Sequence, residues 1–145
     1  MSRRVLLPIE SDKRLSLERA RTKLGGRSAS HESAAALIEV RRGTAVTTGV
    51  VVWGDETSCD VLFEDEHMER VRRAETTPAS AAPSVHLTSI ARSVQRFALV
   101  REGDTLHIDG GSVKIVEKCR WGALVARPDG RIFALGFRRL GQAPC

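Results

Sequence analysis

Residues 44–73 read TAVTTGVVVWGDETSCDVLFEDEHMERVRR, and the order of apolar runs and turn signals within them decides the fold. An apolar run over residues 46–53 meets a turn signal at Gly54-Asp55. Residues 59–63 follow, with Val61 and Phe63 on one face, and a tight connection at Glu64-Asp65-Glu66-His67 leads into residues 68–71. Short apolar or alternating runs bounded by turn residues are strand signals, so the stretch is expected to form a curled three-stranded meander. Three short strands cannot bury their inner faces as a flat ribbon. The flanking sequence must therefore supply further strands or a cover.

Working outward on the N-terminal side, residues 1–10 offer a short apolar segment in which Pro8 suits an edge strand. Ser11-Asp12 reads as a helix start, with Leu15, Ala20 and Leu24 towards one side, Lys13, Arg14, Arg21 and Lys23 on the polar face, and Gly25-Gly26 as the stop. A second helix is expected from Ser28 or Ser30 to Arg41-Arg42, closed by Gly43. Its Ala34-Ala35-Ala36-Leu37-Ile38 run is suited to burial rather than to base reading, so the helical hairpin is expected to cover the β module and not to enter a groove.

Beyond Arg73 the composition turns to Ala, Ser, Thr and Pro, the mark of a linker stiffened by Pro78 and Pro83. Residues 85–96 fit a helix or a strand equally well. Strand patterns return at 97–100, 105–108, 112–116, 121–126 and 131–135, separated by Asp109-Gly110-Gly111 and Arg127-Pro128-Asp129-Gly130, both strong turn chemistry. The expected class is mainly β with N-terminal helices (α+β): a helical hairpin followed by two small barrel modules. The expected boundaries are 1–43, 44–76, a linker at 77–92, and 93–145.

Gly49, Val50, Val52, Asp60, Val61, Phe63, Asp65, Arg70 and Val71, in the order G-x-V-x-V, D-V-x-F-x-D, R-V, carry a resemblance to the Tudor-like small barrels of chromatin readers and of proteins attached to the transcription and repair machinery. The resemblance implies a binding module that docks onto large nucleic-acid machines such as RNA polymerase, and for some members a methyl-lysine cage. A cage needs several rings around the cation. This module has Trp53 and Phe63, and the chain has no Tyr.

Charge divides along the chain more informatively than it sums. The net charge is +5, yet residues 44–77 carry −5 while the segments on either side each carry +5. An acidic middle repels phosphate, so nucleic acid would be held by the flanks. Lys114, Lys118, Arg120, Trp121, Arg127, Arg131, Arg138 and Arg139 are the candidate nucleic-acid-binding residues, with Arg for phosphate oxygens and Trp121 for stacking. Trp53, Asp55, Glu56, Glu64, Asp65 and Glu66, extended by Asp60, form the candidate protein-binding strip.

Other chemistries find little support. His31, His67, His86 and His107 are scattered, Cys59, Cys119 and Cys145 lack zinc-ligand spacing, and neither Gly25-Gly26 nor Gly110-Gly111 makes a phosphate loop. No cofactor and no catalytic residue is expected. Arg3 and Arg4 precede only Val5-Leu6-Leu7 before Pro8, and no run reaches bilayer length, so a cytoplasmic chain without membrane contact is expected. Two functions fit: a non-enzymatic regulatory adaptor contacting nucleic acid or its machinery, or a pure protein-interaction module, for instance an inhibitor whose acidic strip competes with nucleic acid for a basic target.

Overall fold

The computed structural model describes residues 11–28, 34–80 and 82–142, with side chains from residue 16 onward. The expectations for residues 1–10, for His31 and for Cys145 lie outside the described residues. The chain divides into two compact units, Ser30–Ala98 and a discontinuous one made of Met1–Ala29 with Leu99–Cys145. The N-terminal segment thus belongs with the C-terminal module, a grouping that boundaries at 43, 76 and 92 do not follow.

In the Ser30–Ala98 unit, the meander appears as β2 (Ala45–Gly54), β3 (Ser58–Phe63) and β4 (Met68–Arg72). The flanks supply two more strands, β1 (Leu37–Arg42) and β5 (Thr76–Pro78), giving an antiparallel sheet in the order β4-β3-β2-β1-β5. The second expected helix is therefore corrected to a strand. Ile38 and Val40 are buried while Leu37 and Glu39, alternating with them, are half-buried, and the β-branched side chains of Ile38 and Val40 fit a pleat better than a helix. The hairpin to β2 pairs Arg42 with Ala45 across a turn in which Gly43 takes a φ of 62°, so Gly43 is a hairpin residue and not a helix stop. The core of this sheet gathers Ile38, Val40, Val51, Cys59, Val61, Phe63 and Val71.

A 3-10 turn, Arg73–Glu75, carries the chain from β4 to β5, which pairs with β1. The segment expected as linker thus begins with a strand and continues into α2 (Val85–Leu99), capped by the Ser84 hydroxyl accepting from the Leu87 amide at 3.1 Å. Leu87, Ile90, Val94 and Phe97 are buried at helical spacing, which corrects the strand expected at 97–100.

The other unit contains α1 (Ser11–Lys23), the four-stranded antiparallel sheet β6 (Thr105–Ile108), β7 (Gly111–Cys119), β8 (Gly122–Ala126) and β9 (Ile132–Gly136), and the short α3 (Phe137–Gly141). Leu17 and Ala20 of α1, with Leu24, pack on Cys119, Leu124, Ala126 and Ile132. Arg21 fastens the helix to Glu117 of β7, its Nη2 donating at 3.2 Å. Among the described residues neither sheet closes into a barrel: β4 and β5 edge the first, β6 and β9 the second. Both barrel expectations are corrected to open sheets.

Candidate nucleic-acid interface

The β8–β9 connection is built by its turn residues. Gly130 adopts a φ of 87° and its amide donates to the Arg127 carbonyl at 2.9 Å, while the Asp129 carboxylate accepts from the Arg131 amide at 3.0 Å. The turn holds Arg127 and Arg131 at the two ends of one hairpin. Val125 faces Phe133 across the ladder, and the Phe133 ring is 39% exposed although it belongs to a strand. The Arg127 guanidinium lies over that ring, 5.1 Å from its centroid, within the range of a cation–π contact. Arg131 pairs with Asp129 at 3.3 Å, and Arg139 of α3 pairs with Asp109 at the β6–β7 turn. Phe133 was not among the candidates; the outward phase of the Ile132-Phe133 alternation is the signal that marks it.

The remaining basic candidates do not join this group. Lys114 is exposed, but it faces Ala126 and so belongs to the opposite sheet face from Phe133. Arg138 is half-buried. Lys118 is 9% exposed, so it is withdrawn from phosphate, and burial pushes its ammonium down to about 8 against the pull of Asp104 and Glu102. The cause of its burial is a register shift between Ile115 and Glu117, which moves Lys118 to the face opposite Lys114.

Arg120 and Trp121 occupy the β7–β8 turn at the far end of the sheet, half-buried. The Arg120 amide donates to the Gly26 carbonyl at 3.0 Å and the Trp121 amide to the Leu24 carbonyl at 2.9 Å. The indole lies so close to Gly25 that a Cβ there would stand 2.8 Å from Cδ2 and Cε2. Trp121 thus braces the chain leaving α1.

In the other unit two members of the acidic strip, Asp55 and Asp65, are engaged in turn formation. Asp55 accepts from the Thr57 and Ser58 amides, each at 2.9 Å, and these bonds hold its carboxyl down at about 2. Asp65 accepts from the His67 amide at 3.1 Å and sits 2.6 Å from His67 Nδ1. Asp60 is buried and receives two bonds from Arg70, at 2.9 and 3.2 Å. The Arg70 guanidinium also lies 6.0 Å from the Trp53 ring centroid, while Phe63 is buried and stacked on His67. Glu56, Glu64 and Glu66 remain exposed, with Glu66 3.8 Å from His86.

No protein-family model and no curated protein matches the chain. What the molecule does is therefore read from its own side chains. Among the described residues no three His, Cys, Asp or Glu side chains converge as metal ligands, and no helix is long and apolar enough to cross a membrane. Cys59 and Cys119 are buried free thiols, and burial pushes Cys119 up to about 11.

Two expected outcomes follow from the titrating groups. His67 has its pKa raised first by Asp65 and then by Glu69, so its contribution to stability is complete below the unfolded value of about 6.5 and fades as pH rises through the higher folded value. His67→Gln should flatten that part of a stability-against-pH curve from urea denaturation. Lys118 has the opposite linkage: between its folded value of about 8 and an unfolded value of about 10.4 the unfolded chain binds more protons, so stability rises with pH across that window. Lys118→Met should remove the rise, measured as a urea midpoint that no longer climbs between about pH 8 and about pH 10.

Proposed function

We propose that this protein is a non-enzymatic adaptor that binds single-stranded nucleic acid through the β8–β9 hairpin and docks a protein of the transcription or repair machinery through its five-stranded unit. The observation that carries the reading is Arg127 stacked on the exposed Phe133, with Arg131 at the other end of the same turn and Arg139 of α3 paired to Asp109 at the β6–β7 turn. An exposed ring gives a base a face to stack on, and the neighbouring guanidiniums offer bidentate donors to the backbone. A flexible single strand can bring both to one hairpin more readily than a duplex, whose bases are already stacked.

The docking half rests on the Tudor-like reading of the five-stranded unit. Supporting it are the ten-residue β2 at the centre of the sheet and the 3-10 turn that returns the last strand to β1. Trp53, Glu56, Glu64 and Glu66 are the side chains through which it would meet a basic partner surface.

Fluorescence anisotropy with labelled single-stranded and duplex DNA and RNA tests the nucleic-acid half. Single strands should bind more tightly than duplexes, with affinity falling steeply between low and physiological salt. Phe133→Ala should weaken single-strand binding about tenfold, the loss of about 1.4 kcal/mol of stacking. Absence of binding at low salt, or Phe133→Ala equal to the wild type, would overturn it and leave the competing-inhibitor function of the acidic unit.

A further inference from the structure

Within the Ser30–Ala98 unit, α2 forms one wall of a cleft of about 670 Å³, and the 34–36 alanine segment with Arg73 forms the rest. Thr88, Ala91, Arg92 and Gln95 face it at helical spacing, so a single side of the helix is committed to the wall. The volume lies inside the range of about 300–1,000 Å³ occupied by small-molecule sites. The lining holds two guanidiniums and no carboxylate.

Arg73 is fixed before any ligand arrives. Its Nε donates to the Asp55 carbonyl at 2.8 Å, and its Nη2 occupies space left by Gly54, where a Cβ would stand 2.5 Å away. Holding the side chain in place lowers the ordering cost of binding. The Nη groups carry donors only, so a ligand meeting Arg73 and Arg92 must bring acceptors, and phosphate fits two guanidiniums best. The three alanines of residues 34–36 give the lining an apolar part, and the Gln95 amide can both donate to and accept from a polar edge.

We propose that this cleft binds a small phosphorylated ligand with a planar body of nucleotide size, its phosphate held by Arg73 and Arg92 and its body against the alanines. The site is separate from the Arg127–Phe133 hairpin and stands whether or not that hairpin binds a strand. The same chemistry is presented by a free mononucleotide and by the 5′-phosphorylated end of a strand.

The test is an NMR titration of the full chain, following the arginine Nε–H signals, with adenosine 5′-monophosphate as the probe. The Arg73 and Arg92 signals should shift saturably, and Arg92→Gln should weaken binding at least tenfold. Arg96→Gln, on the same helix but outside the lining, removes the same charge and should leave affinity unchanged. Gly54→Ala keeps every charge and should weaken binding by displacing Arg73. A short oligonucleotide with and without a 5′-phosphate separates the sources: binding that needs the phosphate assigns the site to strand ends as well, binding by neither confines it to free nucleotides, and equal binding by both would overturn the phosphate assignment. Failure of the nucleotide to move either arginine signal, or equal losses in Arg92→Gln and Arg96→Gln, would overturn the proposal.

Discussion

Gly122→Ala is expected to destabilise the discontinuous unit by about 3 kcal/mol or more, seen as a large fall in the urea midpoint and loss of the slowest-exchanging amides of β7 and β8. Gly122 opens β8 opposite Gly136, beneath the chain that leaves α1. A Cβ at this position would overlap the Leu135 carbonyl oxygen and come within 2.8 Å of Leu24 Cδ2 and 2.9 Å of the Gly136 Cα. Two of these three obstacles are backbone, so no rotamer change relieves them. Relief requires β9 to separate from β8 or Leu24 to leave its cluster, and overpacking of a tight site costs about 1–3 kcal/mol even when side chains can move. Because β9 also carries Phe133, strand binding should fall together with stability, whereas Phe133→Ala should lower binding alone.

Arg70→Met should cost about 2 kcal/mol at pH 7. Asp60 is 2% exposed and receives two hydrogen bonds from Arg70, so removing the guanidinium leaves a buried carboxylate short of donors. Breaking a fully buried pair costs about 3–5 kcal/mol. The lower figure applies because the Arg70 side chain is 46% exposed and water screens the pair from one side. Arg70→Met with Asp60→Asn should recover part of the loss, since the amide carries no charge to strand. Trp53 gives an independent readout: the cation over its ring disappears in Arg70→Met, and its fluorescence should change in the folded state while Phe133 remains unaffected.

Much of this architecture can be read from the chain. The β2–β4 meander stands out because Val61 and Phe63 alternate between strong turn signals, and the β6–β7 and β8–β9 hairpins because Asp-Gly pairs admit few other backbones. Residues 34–42 mislead, since three alanines and flanking charges look helical while Ile38 and Val40 decide the conformation by pairing with a strand. Residues 85–99 resist reading because Ser93 stands on the buried stripe of α2 and blurs its period. The candidate site is harder. Counting alternate residues puts Lys118 on the face of Lys114, and only the irregularity after Ile115 reverses it. Arg127 and Phe133 meet because of cross-strand register, which composition does not record. The arginine cleft joins residues 34–36, 73 and 88–95, and nothing local links them.

The discontinuity of one unit sets an order of events during synthesis. Ser30–Ala98 is complete in sequence once its own last residue has left the ribosome. The first segment of the other unit is made earliest and finished last: Leu17, Ala20 and Leu24 have no sheet to cover until β7, β8 and β9 have emerged. At roughly 5–20 residues per second that interval lasts several seconds. Over that interval the nascent chain carries Leu17, Ala20 and Leu24 uncovered on an otherwise polar segment, and slowing translation after residue 98 would lengthen their exposure.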